Sequence, residues 1–288
     1  MEKIKNYILI PNTTKNISED SINAIIGRVH KAGGEVYVYH DELAFKPAER
    51  VAYINSEADK NNCQAAIVLG GDGSIIEATH RLMQYQIPII GINFGHVGFL
   101  SELEINETDL LEKLFSGEYY LDERLMLDAE VTDSDGKIKG KFTVLNDLVL
   151  TNGPVARLIK FDVWCDDIKI ETCRADGMII STPTGSTAYS LSAGGPVLEP
   201  SLEGICLTPI CPHTLNSRPV IFRADSIIRL TNIQNNNSSV YFNSDGRDVI
   251  RIESGDSIEI HRSEYKTKLI RMKNSGFLGV LQRKLSEH

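Results

Sequence analysis

The chain has 288 residues, of which 42% are hydrophobic, and its 30 Lys and Arg against 39 Asp and Glu give a formal net charge of −9. This apolar content can fill one large core or two ordinary ones, and for this length we expect two domains. The acidic balance argues against binding to a nucleic-acid backbone as the main task, although a local site for a small anion is still allowed.

The N-terminal stretch lacks the long apolar region and the small-residue cleavage site of a secretory signal. No run approaches the roughly 18 consecutive apolar residues of a membrane helix. We therefore predict a cytoplasmic protein with neither a membrane nor a nucleic acid as its partner. The five cysteines are an odd number without a C-x-x-C pair, so the sequence indicates neither a disulfide framework nor a zinc site.

The first third of the chain alternates between strand and helix signals. We predict strands over 7–10, 36–39, 65–69 and 87–92, and helices over 18–31, 47–60, 75–84 and 107–115. Strands without polar alternation that are separated by helices favour a parallel sheet covered on both faces. Residues 1–122 are therefore predicted to form an α/β domain.

After residue 122 the pattern becomes rich in β-strand signals divided by Asp and Gly turns. We predict strands over 124–132, 139–150, 158–165, 168–172 and 178–180, with further strands in the segments SIIRLTNI, VYFNSDG and DSIEIHR. Residues 123–266 are thus predicted to form a mostly β domain of layered sheets. The tail 267–288 carries a strand-like KLIRM and a short helix from Phe277, and we predict that it returns to the first domain.

The predicted strand 65–69 runs into the glycine-rich segment 70–73, Gly-Gly-Asp-Gly. This segment is not a dinucleotide fingerprint, because Ile76 stands where the third glycine would be, and it is not a P-loop, because no G-K-[ST] follows. One interpretation is a turn in which Asp72 caps the next helix. The other is a phosphate-binding loop in which Asp72 accepts a proton from an attacking hydroxyl group. The tetrapeptide alone favours neither.

A second stretch, 174–196, is crowded with Ser, Thr and Gly and carries little charge. Hydroxyl and amide groups at this density suit a polar ligand such as a sugar, an amide or a nucleobase, although a long surface loop is the alternative. A serine nucleophile is not indicated, because neither G-x-S-x-G nor S-x-x-K is present.

Seven stretches taken in order resemble bacterial NAD kinases over nearly the whole chain. They are 70–73 (GGDG), 91–102 (GINFGHVGFLSE), 146–147 (ND), 174–177 (RADG), 181–196 (STPTGSTAYSLSAGGP), 212–219 (PHTLNSRP) and 245–246 (DG). The first stretch is shared with diacylglycerol-type lipid kinases and phosphofructokinases, whereas the long Thr/Gly/Ser stretch is much more specific.

The resemblance implies an N-terminal α/β nucleotide-binding domain followed by a β-rich NAD-binding domain. It implies transfer of the terminal phosphoryl group of ATP, or of inorganic polyphosphate, to the adenosine 2′-hydroxyl of NAD, which gives NADP. It also implies a divalent cation, most simply Mg²⁺, and a homodimer or homotetramer. The alternatives are a lipid or sugar kinase of the same superfamily and a non-catalytic NAD(P)-binding regulator.

The resemblance also implies roles for particular residues. Asp72 would be the base that takes the proton from the 2′-hydroxyl. The phosphate-donor loop would consist of Gly70, Gly71, Gly73 and Ser74, with Gly73 also allowing close approach of the ribose. The other NAD-binding residues would be Asn146, Asp147, Arg157, Arg174, Asp176, Thr187, Ala188, Tyr189, Ser190, Leu191 and Ser192.

Two positions depart from the family pattern, and the resemblance assigns no metal ligands. The family more often has glutamate at the position of Asp147, and it commonly has glutamine at the position of Arg247. The contacts of these two residues are therefore open.

Overall fold

The computed structural model describes residues 3–13, 17–40, 45–95, 98–153, 158–214, 216–235, 239–273 and 276–286. The chain divides into two compact units, which we call unit 1 (Met1–Glu123 with Thr267–His288) and unit 2 (Arg124–Lys266). Each unit has its own hydrophobic core, which fits the size of the chain.

The elements are numbered in chain order. The strands are β1 (Asn6–Pro11), β2 (Glu35–Val38), β3 (Ala52–Tyr53), β4 (Ala65–Leu69), β5 (Ile89–Asn93), β6 (Leu103–Glu104), β7 (Tyr120–Thr132), β8 (Ile138–Val144), β9 (Asp147–Asn152), β10 (Ile159–Cys165), β11 (Ile168–Ala175), β12 (Gly177–Ser181), β13 (Gly204–Ile210), β14 (Val220–Arg223), β15 (Ile228–Asn235), β16 (Val240–Ser244), β17 (Asp248–Ile252) and β18 (Ser257–Arg271). The helices are α1 (Glu19–Lys31), α2 (Glu57–Asn61), α3 (Asp72–Leu82), α4 (Leu111–Ser116), α5 (Tyr189–Ser192) and α6 (Gly276–Ser286), and short 3₁₀ turns cover Met83–Tyr85, Ile105–Leu110 and Gly185–Thr187.

Unit 1 is built on a parallel sheet in the order β18-β5-β4-β1-β2-β3, with β6 pairing with β5. Every residue of β4 and β5 is buried, which explains why these strands read as unbroken apolar runs. The predicted parallel α/β architecture is confirmed.

Parallel strands bring their carboxyl ends to one edge of the sheet, where ligands bind in open α/β folds. Asn12, the loop 70–73 and the segment 98–101 follow β1, β4 and β5 along the chain.

The helix predicted over 47–60 is wrong. Residues Ala52 and Tyr53 form a parallel edge strand against β2, and helix α2 begins only at Glu57. Ser56 and Asp59 form a capping box that fixes this later start, because the side chain of each accepts a hydrogen bond from the backbone N–H of the other. The capping box therefore leaves the preceding residues free to pair with the sheet.

Unit 2 contains two sheets whose strand pairs are mostly antiparallel. One has the order β11-β10-β15-β18, with β7 pairing with β18 and β8, and the other has the order β14-β13-β12-β9-β16-β17. Side chains of both sheets, such as Phe161 and Phe242, belong to a single core. The predicted mostly β C-terminal domain is confirmed.

Two details of the strands in unit 2 differ from the sequence prediction. The strand predicted over 139–150 is interrupted at Leu145 and Asn146, and its halves β8 and β9 lie in different sheets. The strand-like KLIRM is the end of the long strand β18, not a separate element. The helix predicted from Phe277 is present as α6. Across the described ranges, no helix has both the length and the apolar character needed to cross a bilayer.

Candidate active site

Asp72 is the first helical residue of α3, but its side chain does not cap that helix. The N-cap is Gly71, and no side chain there accepts a hydrogen bond from the helix. The carboxylate instead accepts hydrogen bonds from a segment that follows β5: from the backbone N–H groups of Phe99 (2.8 Å) and Leu100 (3.1 Å) and from the hydroxyl of Ser101 (3.3 Å). The helix-cap interpretation of Asp72 is therefore wrong.

The three donors leave room for a fourth on the same carboxylate. Leu100 and Ser101 donate to Oδ1, whereas Phe99 alone donates to Oδ2. An ionised carboxylate offers about four lone-pair directions, so one on Oδ2 has no donor among the residues that the structure describes. Asp72 is partly exposed. A fixed, partly exposed carboxylate with a free lone pair can accept a proton from a bound hydroxyl group.

The glycines around Asp72 differ in what they permit. A Cβ added to Gly70 would lie 2.2 Å from Ser74 Oγ, and a Cβ added to Gly98 would lie 2.0 Å from Asp72 Oδ1. Gly73 is exposed and a Cβ there would meet no atom within 4 Å. Gly70 and Gly98 are thus needed for packing, whereas Gly73 leaves space beside the start of α3.

Ser74 faces the interior of unit 1. It is buried, and its hydroxyl accepts a hydrogen bond of 2.6 Å from the side-chain amide of Asn12, which follows β1. The backbone N–H of Asn12 donates to the carbonyl of Leu69 (2.9 Å). These bonds tie the loop after β4 to the end of the neighbouring strand, so the start of α3 is held firmly.

In unit 2, the interruption between β8 and β9 is organised by Asp245. Its carboxylate accepts the backbone N–H groups of Leu145 (2.9 Å), Asn146 (2.9 Å) and Asp147 (3.0 Å). Asp245 itself has a left-handed backbone (φ 48°), and Gly246 follows at φ 67°. The Asp-Gly turn after β16 therefore presents the pair Asn146-Asp147 in a fixed orientation.

Asp147 is a buried acid whose ionisation is suppressed. Burial, and secondarily the nearby charge of Asp245, raise its pKa from 3.8 to about 7, and a hydrogen bond from the backbone N–H of Tyr189 partly opposes this shift. The carboxyl group thus links the Asn146-Asp147 pair to the first residue of α5.

The Thr/Gly/Ser segment wraps around the same pair. Thr182 donates its N–H to the carbonyl of Asn146 (2.9 Å) and its hydroxyl to the carbonyl of Leu145 (2.6 Å). A Cβ on Gly185 would lie 2.1 Å from the carbonyl oxygen of Asn146, so only glycine fits there. Asn146 and the segment after β12 therefore form one cluster within unit 2.

The RADG segment, residues 174–177, is joined to the end of β13 and to the residues that follow it. The backbone N–H of His213 donates to the carbonyl of Arg174 (2.8 Å), and that of Asp176 donates to the carbonyl of Ile210 (2.9 Å). The side chain of Arg174 is exposed and that of Asp176 is half-buried. These two polar side chains lie at the junction of β11 and β12, where a ligand can reach Arg174.

The chain matches two family models. One, described as the ATP-NAD kinase N-terminal domain, matches residues 23–119, and the other, the ATP-NAD kinase C-terminal domain, matches residues 145–272. The NAD kinase of Caldanaerobacter subterraneus subsp. tengcongensis is 37% identical over 289 residues, which cover 99% of this chain and 100% of that protein. The NAD kinase of Natranaerobius thermophilus is 38% identical over 283 residues, 96% of each chain. The chain belongs to the NAD kinase family.

Solved structures of NAD and NADH kinases share the fold. Yeast NADH kinase in complex with NADH superposes with a TM-score of 0.84 at 24% identity, over 99% of this chain and 88% of that one. An NAD kinase from Archaeoglobus fulgidus in complex with ATP gives a TM-score of 0.71 at 23% identity, over 98% of this chain and 100% of that one. At these identities the likeness concerns the fold.

The residues that the family resemblance singled out fall into local groups. Gly70, Gly71, Asp72, Gly73 and Ser74 lie at the start of α3. In unit 2, Asn146 and Asp147 both donate their N–H groups to Asp245, and the carboxyl group of Asp147 accepts the N–H of Tyr189. Tyr189, Leu191 and Ser192 are exposed, and Thr187 and Ala188 are half-buried. Ser190 is buried, and its hydroxyl shares a hydrogen bond of 2.9 Å with that of Thr208. Arg247 is exposed, and Arg157 lies outside the described residues.

Sequence reasoning missed the residues that hold the functional side chains in place. Asp245 and the segment 98–101 were quoted only as parts of motifs, and Arg271 was not singled out. An arginine inside the apolar run KLIRM was an available signal, because a charged residue in such a strand needs buried partners.

The side chains that could act as metal ligands were searched for a site that would hold a divalent cation. Among the described residues, no group of three or more His, Cys, Asp and Glu side chains is arranged to hold a metal ion. Mg²⁺ in nucleotide sites usually keeps waters and takes phosphate oxygens together with only one or two carboxylates.

Proposed function

We infer that this chain is an NAD kinase, which transfers the terminal phosphoryl group of ATP to the adenosine 2′-hydroxyl of NAD to give NADP. Membership of the family supports the activity, and the braced carboxylate of Asp72 at the start of α3 is the single observation that carries the mechanism.

The chemistry assigns one main task to Asp72. As the 2′-oxygen forms its bond to the terminal phosphorus, the bond from that phosphorus to the bridging oxygen breaks and ADP leaves. The proton of the 2′-hydroxyl goes to Asp72 Oδ2, which has the free lone pair. Such proton transfer contributes typically about 10²–10⁴-fold to a rate, and correct positioning of the two substrates accounts for much of the rest.

The loop after β4 supports binding of the phosphate donor. Backbone N–H groups at the N-terminal end of a helix attract anions, and the open space beside Gly73 allows phosphate or ribose to approach. A carboxylate there repels the donor by about 1–4 kcal/mol at the dielectric of a partly exposed site. A divalent cation, most simply Mg²⁺, would reduce this repulsion when it is bound with the triphosphate.

We assign recognition of NAD to the groups collected in unit 2. Asn146 and Asp147 would contact the adenosine portion, Arg174 and Asp176 the nicotinamide ribose and carboxamide, and the residues 187–192 the second half of the dinucleotide. Support comes from Asp245, which holds the N–H groups of Asn146 and Asp147, and from the hydrogen bond that the N–H of Tyr189 donates to Asp147. The exposed ring of Tyr189 also offers a stacking surface.

The test of the activity is an acceptor panel with ATP as the donor. NAD, NADH, diacylglycerol and fructose 6-phosphate are incubated with the purified chain, and mass spectrometry identifies the phosphorylated product. We expect NAD to be converted to a species that carries a 2′-phosphate. Phosphorylation of the lipid or the sugar alone would instead indicate another kinase of the superfamily. NADP binding in calorimetry without any phosphoryl transfer would indicate a regulator.

The donor, the compartment and the assembly are proposed separately. ATP is the proposed phosphoryl donor, and replacing it by inorganic polyphosphate in the same assay decides whether both are used.

Cytoplasmic localisation is supported by the five free cysteines, which suit a reducing compartment. A homodimer or homotetramer is supported by exposed apolar side chains on unit 2, including Ile168 and Val249. Light scattering of the purified protein measures the assembly.

A further inference from the structure

Arg271, at the end of β18, is almost fully buried within unit 1 and is surrounded by oxygen atoms. Its side chain donates hydrogen bonds to three consecutive carbonyl groups, those of Phe99 (3.2 Å), Leu100 (3.1 Å) and Ser101 (3.0 Å). Phe99 and Leu100 are the residues whose N–H groups bind Asp72. Arg271 and Asp72 thus hold the same short segment.

The peptide unit between Phe99 and Leu100 connects the two charged side chains directly. Its carbonyl oxygen accepts from Arg271 Nη2, and its N–H donates to Asp72 Oδ1. The C=O and N–H of a trans peptide point in opposite directions from one rigid plane. Fixing the carbonyl on one side therefore aims the N–H on the other side, and the cation also polarises that N–H toward the carboxylate.

Two acidic residues keep the guanidinium group in this position. Asp122 accepts from Nε (3.2 Å), and Glu102 accepts from Nη1 (3.3 Å). The other oxygen of Glu102 accepts the backbone N–H groups of Met272 and Lys273, both at 2.8 Å. The planar fork of arginine satisfies acceptors in several directions at once, which the single ammonium group of lysine cannot do.

We propose that Arg271 is a positioning residue for the phosphoryl transfer: it orients the segment 99–101, whose N–H groups fix the carboxylate of Asp72. This proposal rests on the proposed function, because it acts through the base assigned there. Arg271 has no contact with substrate in this role.

Arg271→Lys tests the proposal, and Lys273→Gln is the matched control. Lys273 follows Arg271 by two residues in the chain. Its side chain pairs with Glu107 (2.5 Å) and not with the segment 99–101. We expect Arg271→Lys to lower kcat about 10-fold or more while KM for NAD changes less than about 3-fold, since the misplaced group acts in the transition state. Lys273→Gln is expected to keep the wild-type kcat.

Combining each change with Asp72→Asn separates positioning from general damage to the fold. If Arg271 acts only through Asp72, Arg271→Lys lowers kcat in the wild-type background but not in the Asp72→Asn background. An equal loss in both backgrounds, or no loss in either, overturns the proposal. Should Arg271→Lys fail to fold, Asp122→Asn replaces it with the same two comparisons and the same criteria, because this change leaves Arg271 in place.

Hydrogen exchange without substrate keeps this test independent of the activity. We expect the amides of Phe99 and Leu100 to exchange at least about 10-fold faster in Arg271→Lys and at the wild-type rate in Lys273→Gln. Unchanged exchange in Arg271→Lys overturns the bracing itself. Absence of NADP formation by the wild type would overturn the proposed function while leaving the exchange result to stand.

Discussion

At the scale of single residues, Asp72 shows how the chain fixes a negative group at the start of a helix, where we propose that an anionic ligand also binds. Hydrogen bonds from Phe99, Leu100 and Ser101 hold the carboxylate, so it cannot swing away from an approaching phosphate. A mobile carboxylate would relieve the repulsion by moving. In the proposed mechanism, the bracing therefore keeps the proton acceptor in place during phosphoryl transfer.

Replacing this carboxylate by an amide tests its role. We expect Asp72→Asn to lower turnover about 10²-fold or more, because the amide cannot accept the proton, while NAD affinity measured by calorimetry is largely retained. Ser101→Ala is the control, since it removes only the longest of the three hydrogen bonds (3.3 Å) and should lower turnover far less. Near-normal turnover of Asp72→Asn would refute the assignment of the base.

Asp147 gives a second expectation, in the pH dependence of stability. Its pKa is about 7 in the folded chain because of burial and the charge of Asp245, against 3.8 for the ordinary group. Between these values the folded state binds the proton and the unfolded state has released it, so this residue makes stability fall as pH rises from about 4 to about 7. Above about pH 7 Asp147 is ionised in both states, and its destabilising effect on the folded state no longer changes with pH.

We therefore expect Asp147→Asn to raise Tm at pH 8 by at least about 2–4 °C, the shift that corresponds to 1 kcal/mol in a chain of this size, and to give a smaller gain at pH 5, which lies inside the range where stability is falling. Asp162→Asn is the contrasting control, because hydrogen bonds from Lys169, Thr172 and Asn232 lower the pKa of Asp162 to about 2. That change should lower Tm, chiefly above pH 4. Differential scanning fluorimetry across pH 3–8 measures both, and a gain for Asp147→Asn that does not depend on pH would contradict the expectation.

At the scale of elements, the sequence predicted most of what depends on local patterns. The strand predicted over 65–69 has the bounds of β4, and the alternation of apolar strands with helices correctly indicated the parallel sheet. The helix over 47–60 was wrong because a capping box two-thirds of the way along it starts a shorter helix. The strand over 139–150 was too long because a side chain about a hundred residues later, Asp245, binds its middle.

The candidate site likewise has parts that could be predicted from the sequence and parts that could not. Motifs that are contiguous in sequence, such as 70–73 and 181–196, could be singled out from the residues alone. The partners that orient them could not, because Asp72 is braced from 27–29 residues away and the segment 99–101 is held by Arg271, about 170 residues away. Such pairings depend on the fold, to which a single sequence gives little access.

Two glycines near Asp72 give an expectation at this scale: Gly73 in the first turn of α3, and Gly98 in the segment after β5. In Gly98→Ala, the added Cβ would overlap the carboxylate of Asp72, so we expect both turnover and Tm to fall; overpacking of this kind costs about 1–3 kcal/mol. In Gly73→Ala, the Cβ meets no protein atom, and alanine favours a helix over glycine by up to about 1 kcal/mol. The Gly73→Ala variant should be as stable as the wild type, but at least about 10-fold less active if phosphate or ribose binds close to residue 73.

Turnover and Tm of the two glycine variants are measured side by side. Full turnover of Gly98→Ala would show that the carboxylate tolerates displacement, which would contradict its role as a braced base. Full turnover of Gly73→Ala would show that no ligand approaches closely at that position.

At the scale of the whole molecule, unit 1 is assembled from both ends of the described chain. Residues 267–272 supply the pairing of Leu269 with Ile89 in β5 and place Ile270 and Met272 in the core of unit 1. Full burial of each such side chain contributes about 1.5–3 kcal/mol. Three of them together approach the whole stability of an ordinary domain, about 5–15 kcal/mol.

Two truncations test this contribution. A chain that ends at Lys266 should leave unit 1 unfolded and sensitive to protease, whereas a chain that ends at Lys273 keeps the buried residues and should remain folded. The second chain lacks α6 and the ring contact of Phe277 with Phe99 (centroids 5.7 Å apart), so we expect a lower Tm. Limited proteolysis and circular dichroism measure both, and a stably folded unit 1 in the chain that ends at Lys266 would contradict the expectation.

The late position of Arg271 has a consequence for synthesis on the ribosome. The whole of unit 2 is translated after the Gly-Gly-Asp-Gly loop and before the arginine that steadies the segment facing it. A nascent chain can therefore carry all the residues proposed to bind substrate and still lack the arginine that donates to the carbonyl groups of Phe99, Leu100 and Ser101. A product interrupted before residue 271 lacks this arginine, so we expect it to consume ATP more slowly than a chain that includes Arg271.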